Sequence, residues 1–182
     1  MKSNIVCIDP GVSGGIAWTN DHGDVFCAPN PYPTSTKGYK NVELKKYQLK
    51  GIQDLLWGIR NRNLNSFDYY LEQVASMSCD TPKTAASLNF NHGLWAGSCN
   101  SDNLRFVHPT KWQNQLGISL PHGRFNYEAR KKALQAFAQE KWGEVEQITW
   151  KPDRSYKSKT QPITQKTADA MCMLWVYSEK DL

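Results

Sequence analysis

The sequence predicts an α/β protein in which a mixed five-stranded sheet, its first three strands antiparallel, is flanked by helices. Three observations point there. Near the start, short apolar stretches (IVCID, GIAW, VFCA) follow one another across tight Gly- and Asp-containing turns, the mark of an antiparallel meander. Beyond them, stretches with helical apolar spacing alternate with two more strand-like runs, FDYYLEQV and LRFV. The 182 residues are 40% hydrophobic and 21% charged, which suits one α/β domain spanning 1–182 with a single substantial core.

In chain order, residues 4–9 read as a buried strand that stops at Pro10-Gly11, and Gly14-Gly15 lead into a second through Ile16, Ala17 and Trp18. Asp21-His22-Gly23-Asp24 turns the chain into a third strand over 25–28, and Pro29, Pro31 and Pro33 make an irregular connection to about Asn41. Leu44, Tyr47, Ile52, Leu55, Leu56 and Ile59 fall at helical intervals and predict an amphipathic helix over 42–61. A central strand follows over 67–74. Asp80-Thr81-Pro82 reads as a cap with proline in the first turn of a helix that continues through Leu88 to Gly97.

A fifth strand covers 104–107, and Pro109 opens a short helix through Trp112 and Leu116. Phe125, Ala129, Ala133 and Phe137 mark another helix, whose outer face would carry Arg130, Lys131 and Lys132. Residues 143–164 lack periodicity and contain Lys151, Arg154, Lys157 and Lys159, which reads as a mobile basic loop. The last helix, over 164–178, is apolar on nearly every face except at Asp169, so it should be largely buried.

Composition narrows the function classes. Five cysteines (Cys7, Cys27, Cys79, Cys99, Cys172) are scattered without a close pair, against a disulfide framework or a structural zinc site and in favour of a reducing, cytoplasmic setting. No apolar run is long enough to span a bilayer, and Asp9-Pro10 interrupts the first one too early for a secretory signal. Lys and Arg total 22 against 17 Asp and Glu, a net +5 that suits a polyanionic partner. The 12% aromatic content is high; most rings belong to the core, and exposed ones can stack on unpaired bases.

Three acidic residues stand where apolar packing should dominate: Asp9 ends a buried strand, Glu72 lies near the end of another, and Asp169 is set in an apolar helix. A lone buried carboxylate costs several kcal/mol unless it is paired or holds a metal. Three on separate elements suggest one convergent cluster, and oxygen ligands of this kind favour Mg²⁺ or Mn²⁺ over zinc. Each has a plainer explanation: Asp9 caps a turn, Glu72 faces solvent at a strand end, and Asp169 pairs with Lys166 one turn earlier. His92, His108 and His122 share no ligand spacing and read as structural or surface residues.

The segment IVCIDPGVSGGIAW resembles the opening hairpin of RuvC-type Holliday-junction resolvases of the RNase H-like superfamily, in particular their phage and prophage branch. YYLEQV is similar to that family's second strand motif and AASLNFNHGLWAG to the helix after it. VHPTKWQNQLG and KTADAMCMLW resemble a later helix start and the C-terminal helix, so the matches run in order across nearly the whole chain. The resemblance implies an RNase H-like fold and a homodimer that nicks four-way or other branched DNA, leaving 5′-phosphate and 3′-hydroxyl ends, in a bacterial host cell and phage-encoded. It implies Asp9, Glu72 and Asp169 as catalytic metal ligands for two Mg²⁺ or Mn²⁺ ions per site. The family often has a further acidic or histidine side chain shortly before the last Asp. Here Thr164, Gln165 and Lys166 stand there, which makes Lys166 the candidate for the fourth position or leaves a ligand to come from elsewhere, such as Asp153.

Lys111, Arg124, Arg130, Lys131 and Lys132 are candidates for contact with DNA phosphates, with solubility as their ordinary role, and Phe90 for stacking near a junction centre or for the core. Gly11, lacking a Cβ, would let backbone approach a phosphate. Competing readings are a nuclease for flaps or forks, a non-catalytic branched-DNA-binding descendant, and a kinase-like ATPase suggested by the DPGVSGG turn but disfavoured by the short chain.

Overall fold

Strand β1 (Asn4–Ile8) is buried along its whole length and has partners on both sides. In this computed structural model, which describes residues 4–32, 41–74, 81–99, 103–121, 126–150 and 156–179, it is an interior strand of the sheet. β2 (Gly15–Thr19) pairs antiparallel with β1, and β3 (Val25–Pro29) antiparallel with β2. Helix α1 (Asn41–Asn61) leads to β4 (Phe67–Glu72), which runs parallel to β1 on its other side. After helix α2 (Pro82–Cys99), β5 (Leu104–Val107) adds parallel to β4. Helices α3 (Pro109–Gln113) and α4 (Tyr127–Trp142) precede β6 (Glu144–Trp150) and β7 (Tyr156–Pro162), and α5 (Gln165–Glu179) comes last.

The α/β class therefore holds, with two corrections. The sheet has seven strands rather than five, in the order β5-β4-β1-β2-β3-β6-β7, and it is mixed from its first strand on because β1 and β3 each have a parallel neighbour. The stretch 143–164, read as a loop, contains the β6–β7 hairpin. Its signal was masked by chemistry: Gln147 is a buried polar residue whose amide donates to the carbonyls of Gln161 and Pro162, breaking the apolar alternation of β6. From Lys157 to Thr160, β7 is exposed and has no apolar face to show. It forms one edge of the sheet, where Lys157 and Lys159 are the charges that commonly mark an edge strand. Arg124, Lys151, Asp153 and Arg154 lie outside the described residues, as do Asp80, Phe125 and much of the irregular stretch after Pro33.

Two cores cover the two faces. Because side chains alternate along a strand, Ile5 and Cys7 of β1 point to one face and Val6 and Ile8 to the other. The first face packs under α4 and α5, against Leu134, Phe137, Met171 and Leu174. The second packs under α1 and α2, against Ile52, Leu56 and Trp95. Buried Gln48 donates to Asn91 at 2.8 Å, tying α1 to α2, and Arg60 reaches the carbonyls of Ser98 and Cys99 at the end of α2. Thr81 Oγ1 accepts from the Thr84 amide at the start of α2, the cap expected before Pro82. The described cysteines, Cys7, Cys27, Cys99 and Cys172, are buried and free. Among the described residues no helix is long and apolar enough to cross a membrane.

The helix α4 phase also differs from expectation. Lys131, Leu134, Phe137 and Ala138 are its buried residues, whereas Ala129 is exposed. Setting the apolar stripe on Ala129 and Ala133 displaced the helix by a fraction of a turn and placed Lys131 on the outside, when it faces in.

The approach of α5 to the sheet depends on Gly15. A Cβ there would stand 2.7 Å from the carbonyl oxygens of both Ala28 and Lys166, neither of which is a flexible side-chain end. Gly93 on α2 has open space at the same position. Gly15→Ala is expected to lose about 1–3 kcal/mol in urea unfolding, while Gly93→Ala gains about 0.5–1 kcal/mol from helix propensity; equal effects of the two would contradict this packing.

Candidate active site

The alternation that divides the two cores also assembles the carboxylates. Continuing Ile5 and Cys7 by two residues puts Asp9 on the α4/α5 side, just beyond the end of β1. Continuing Tyr70 by two puts Glu72 on the same side at the end of β4, whose Leu71 pairs with Ile8. Parallel neighbours thus deliver two acidic side chains next to each other at their carboxyl ends, the end at which open α/β sheets bind ligands. Asp169 descends from α5 onto the same spot. With Lys131 and Arg130 these residues line a groove of about 770 Å³.

Asp9 is held by the loop that follows it. Its Oδ1 accepts from the Gly11 amide at 2.9 Å, its own amide donates to the Gly15 carbonyl, and its carbonyl accepts from Asn30 Nδ2. The Asn30 side chain also donates to the Gly11 carbonyl and its backbone amide donates to the Gly14 carbonyl, so one buried residue clasps both limbs of the loop. Gly14 is required by contact: a Cβ would lie 2.4 Å from the Asp9 carbonyl oxygen and 2.6 Å from its carboxyl carbon. Gly14 therefore makes room for the Asp9 side chain, and a Cβ on Gly11 would lie 3.1 Å from Asp9 Oδ1.

Glu72 is oriented by buried Trp112 on α3, whose indole Nε1 donates to Oε1 at 3.1 Å. Lys131 is 9% exposed, and its ammonium lies 2.9 Å from Asp169 Oδ2 and 3.9 Å from Asp9 Oδ2. Asp169 Oδ1 is buried with no hydrogen-bond partner.

These contacts set the electrostatics. Burial, reinforced by repulsion from Asp169, pushes the Asp9 carboxyl up to about 6, against the pull of Lys131 and the Gly11 amide. Burial and repulsion from Asp9 and Asp169 push Glu72 well above the usual carboxylate range, opposed by Trp112 and Lys131. For Lys131, burial alone lowers the ammonium's affinity for its proton, but attraction by Asp169 and Asp9 outweighs it and holds it above the ordinary lysine range. Three carboxylates thus share a corner with one strongly held positive charge.

The other sequence candidates distribute differently. Arg130 lines the groove, and its Nε is buried with no hydrogen-bond partner. Lys131 belongs to the carboxylate cluster, on the buried side of α4 and not on its outer face. Lys111, Lys132 and Lys166 are exposed and do not line the groove; Lys166 contributes its backbone carbonyl to the contact with Gly15, and Asp169 pairs with Lys131 instead. Phe90 is half-buried under the Lys45 ammonium, 4.6 Å from its ring centroid, and lies outside the groove lining.

Sequence reasoning missed Lys83, Thr84, Ser87, Thr110 and Gln113, which line the groove from α2 and α3, and it read the lining residue His108 as structural or surface. His108 also caps α3, its Nδ1 accepting from the Thr110 amide. These residues had no spacing to mark them; their position follows from where β4 and β5 end. Among the described residues no group of three His, Cys, Asp or Glu side chains stands ready to grip one ion, and Lys131 holds the ground between Asp9 and Asp169. Compared with known proteins, the chain matches no family model and no curated protein significantly.

The raised Asp9 carboxyl has a consequence for stability. The folded protein keeps a proton that the unfolded chain releases near pH 4, so this contribution is present below about pH 4 and lost as pH rises through about 6. Asp9→Asn removes the titration. In EDTA, its unfolding free energy relative to wild type should rise on going from pH 4 to pH 7.5, by on the order of 2–3 kcal/mol. Urea denaturation at the two pH values checks this; a gap that does not change with pH speaks against the assignment.

Proposed function

We propose that this protein is a divalent-metal-dependent endodeoxyribonuclease of the RNase H-like, RuvC type that cuts four-way or other branched DNA. The observation that carries this reading is the convergence of Asp9, Glu72 and Asp169, from three separate elements, on one groove that also carries Arg130. The donor set fits Mg²⁺ or Mn²⁺: all three are oxygen ligands, Asp169 Oδ1 is buried without a partner, and burial, reinforced by repulsion from the neighbouring carboxylates, raises the carboxyls of Asp9 and Glu72. Asp9, Glu72 and Asp169 would hold the metal, which supplies charge stabilisation at the phosphodiester and activation of the attacking water.

The chain's own groups supply position. The Gly11 amide fixes one oxygen of Asp9, and the Trp112 indole fixes Glu72, so neither carboxylate has to find its orientation during the reaction. Arg130 and Lys83 on the groove wall offer charge to backbone phosphates, and Thr84, Ser87, Thr110 and Gln113 offer hydrogen bonds. Paired nicks across a four-way junction require two such sites, so the working form is a homodimer. The kinase-like reading loses support in the DPGVSGG loop. Its Gly11 amide donates to Asp9 and its Gly14 amide to the Gly11 carbonyl, so these donors are spent within the loop and not turned to a phosphate. The Lys131–Asp169 ion pair favours one second reading, a descendant that binds branched DNA without cutting it.

Labelled four-way junction, fork and linear duplex incubated with Mg²⁺ or Mn²⁺ separate the two. Paired symmetric cuts at the junction are expected, with Asp9→Asn and Glu72→Gln each slowing cleavage by about 100-fold or more while junction binding persists. Equal cutting by Asp9→Asn removes the metal assignment, and binding without cutting in either metal selects the non-catalytic reading.

A further inference from the structure

Lys131 reaches the carboxylate cluster from α4, an element apart from the three that carry the acids, and it does so from the buried face of that helix. Its Nζ is hydrogen-bonded to Asp169 Oδ2 at 2.9 Å and within ion-pair distance of Asp9 Oδ2 at 3.9 Å. The Tyr127 ring lies 5.9 Å from the ammonium on the groove side. Lys131 thus satisfies Asp169 Oδ2 and stands near Asp9 Oδ2, while Asp169 Oδ1 is left bare. A Mg²⁺ ion binds carboxylate oxygens at about 2.0–2.1 Å. An ammonium hydrogen-bonded to Asp169 Oδ2 and 3.9 Å from Asp9 Oδ2 and an ion bound to the same two oxygens exclude each other, by contact and by like charge.

We infer that Lys131 is a resident cation that competes with a divalent ion for the Asp9–Asp169 pair, so that metal binding there displaces its ammonium towards the groove. The inference rests on the reading of this groove as a metal site. In the absence of metal, Lys131 offsets the repulsion that would otherwise strain the junction of β1 with α5. When metal enters, the ammonium moves out beside Arg130, on the wall where a substrate phosphate would lie. The resident charge therefore lowers metal affinity and supplies a mobile positive group.

Two measurements on the full-length chain test this. In calorimetric titration with Mn²⁺, Lys131→Met, which is unbranched and one atom shorter and removes the charge, is expected to bind about tenfold more tightly than wild type or better. Equal or weaker binding by a folded Lys131→Met protein overturns the competition. The second uses wild type alone, so it stands even where the variant does not fold. Reductive methylation with formaldehyde, read by mass spectrometry, should modify Lys131 several-fold faster in Mg²⁺ than in EDTA, with exposed Lys166 as the unchanged reference. A Lys131 rate that is the same or slower in Mg²⁺ overturns the inference. Failure of the nuclease reading is visible separately: a wild-type protein that binds no Mn²⁺ removes the metal site itself, whereas binding of equal strength by both proteins removes only the role given to Lys131.

Discussion

Repulsion among carboxylates in a poorly solvated corner is the constraint around which the groove is built. Asp9, Glu72 and Asp169 come from the end of β1, β4 and α5; Asp9 and Asp169 are buried and Glu72 is partly buried, which leaves little surface on which to disperse their charge. Each of the surrounding groups answers that constraint. The Lys131 ammonium is drawn inside α4, the Trp112 indole turns its one donor to Glu72, and a backbone amide at Gly11 is aimed at Asp9. Burying an ammonium is itself costly, and here the cost is met by having two carboxylates within ion-pair distance. The cluster is therefore a compromise among mutually dependent charges, and altering one of them shifts the rest.

Much of this was legible in the residues, and the limits were physical. Asp9 and Glu72 announced themselves because each stands at or near the end of an apolar strand; that both fall on one face came from the pairing of β1 with β4. Asp169 did so because a carboxylate in the middle of ADAMCMLWV has no apolar reason to be there. The strands β1 to β5 stand close to where turn residues and apolar runs put them. The β6–β7 hairpin was hidden because an edge strand needs no apolar face and because a buried glutamine interrupts the pattern of its neighbour.

Lys131 was hidden for a different reason. A lysine flanked by Arg130 and Lys132 has the appearance of a solvated run, and only the phase of the helix separates the one that points in from the two beside it. That phase is set by Leu134 and Phe137 packing on α5, a tertiary fact that spacing alone leaves open when alanines fill several faces. The same holds for the groove walls. His108, Thr110 and Ser87 belong to the site because of where three parallel strands end, and nothing in their own neighbourhood distinguishes them from surface residues. Gly14 shows the converse: its place beside Asp9 was visible as a glycine in a turn, but the reason for it, space for a carboxyl group, needed the contact itself.

The buried thiols give the molecule an internal reporter. Cys7, Cys27 and Cys172 sit in the core beneath α4 and α5, and Cys99 in the core beneath α1 and α2. Burial raises all four above the ordinary thiol range, Cys27 and Cys99 up to about 12, so in the folded state they are both shielded and protonated, and a thiolate-seeking reagent finds neither access nor nucleophile. Alkylation at these positions then proceeds only from molecules that have opened. Because the thiols are divided between the two sides of one sheet, the order in which they react separates peeling of one helical layer from collapse of the whole, and does so without any introduced label.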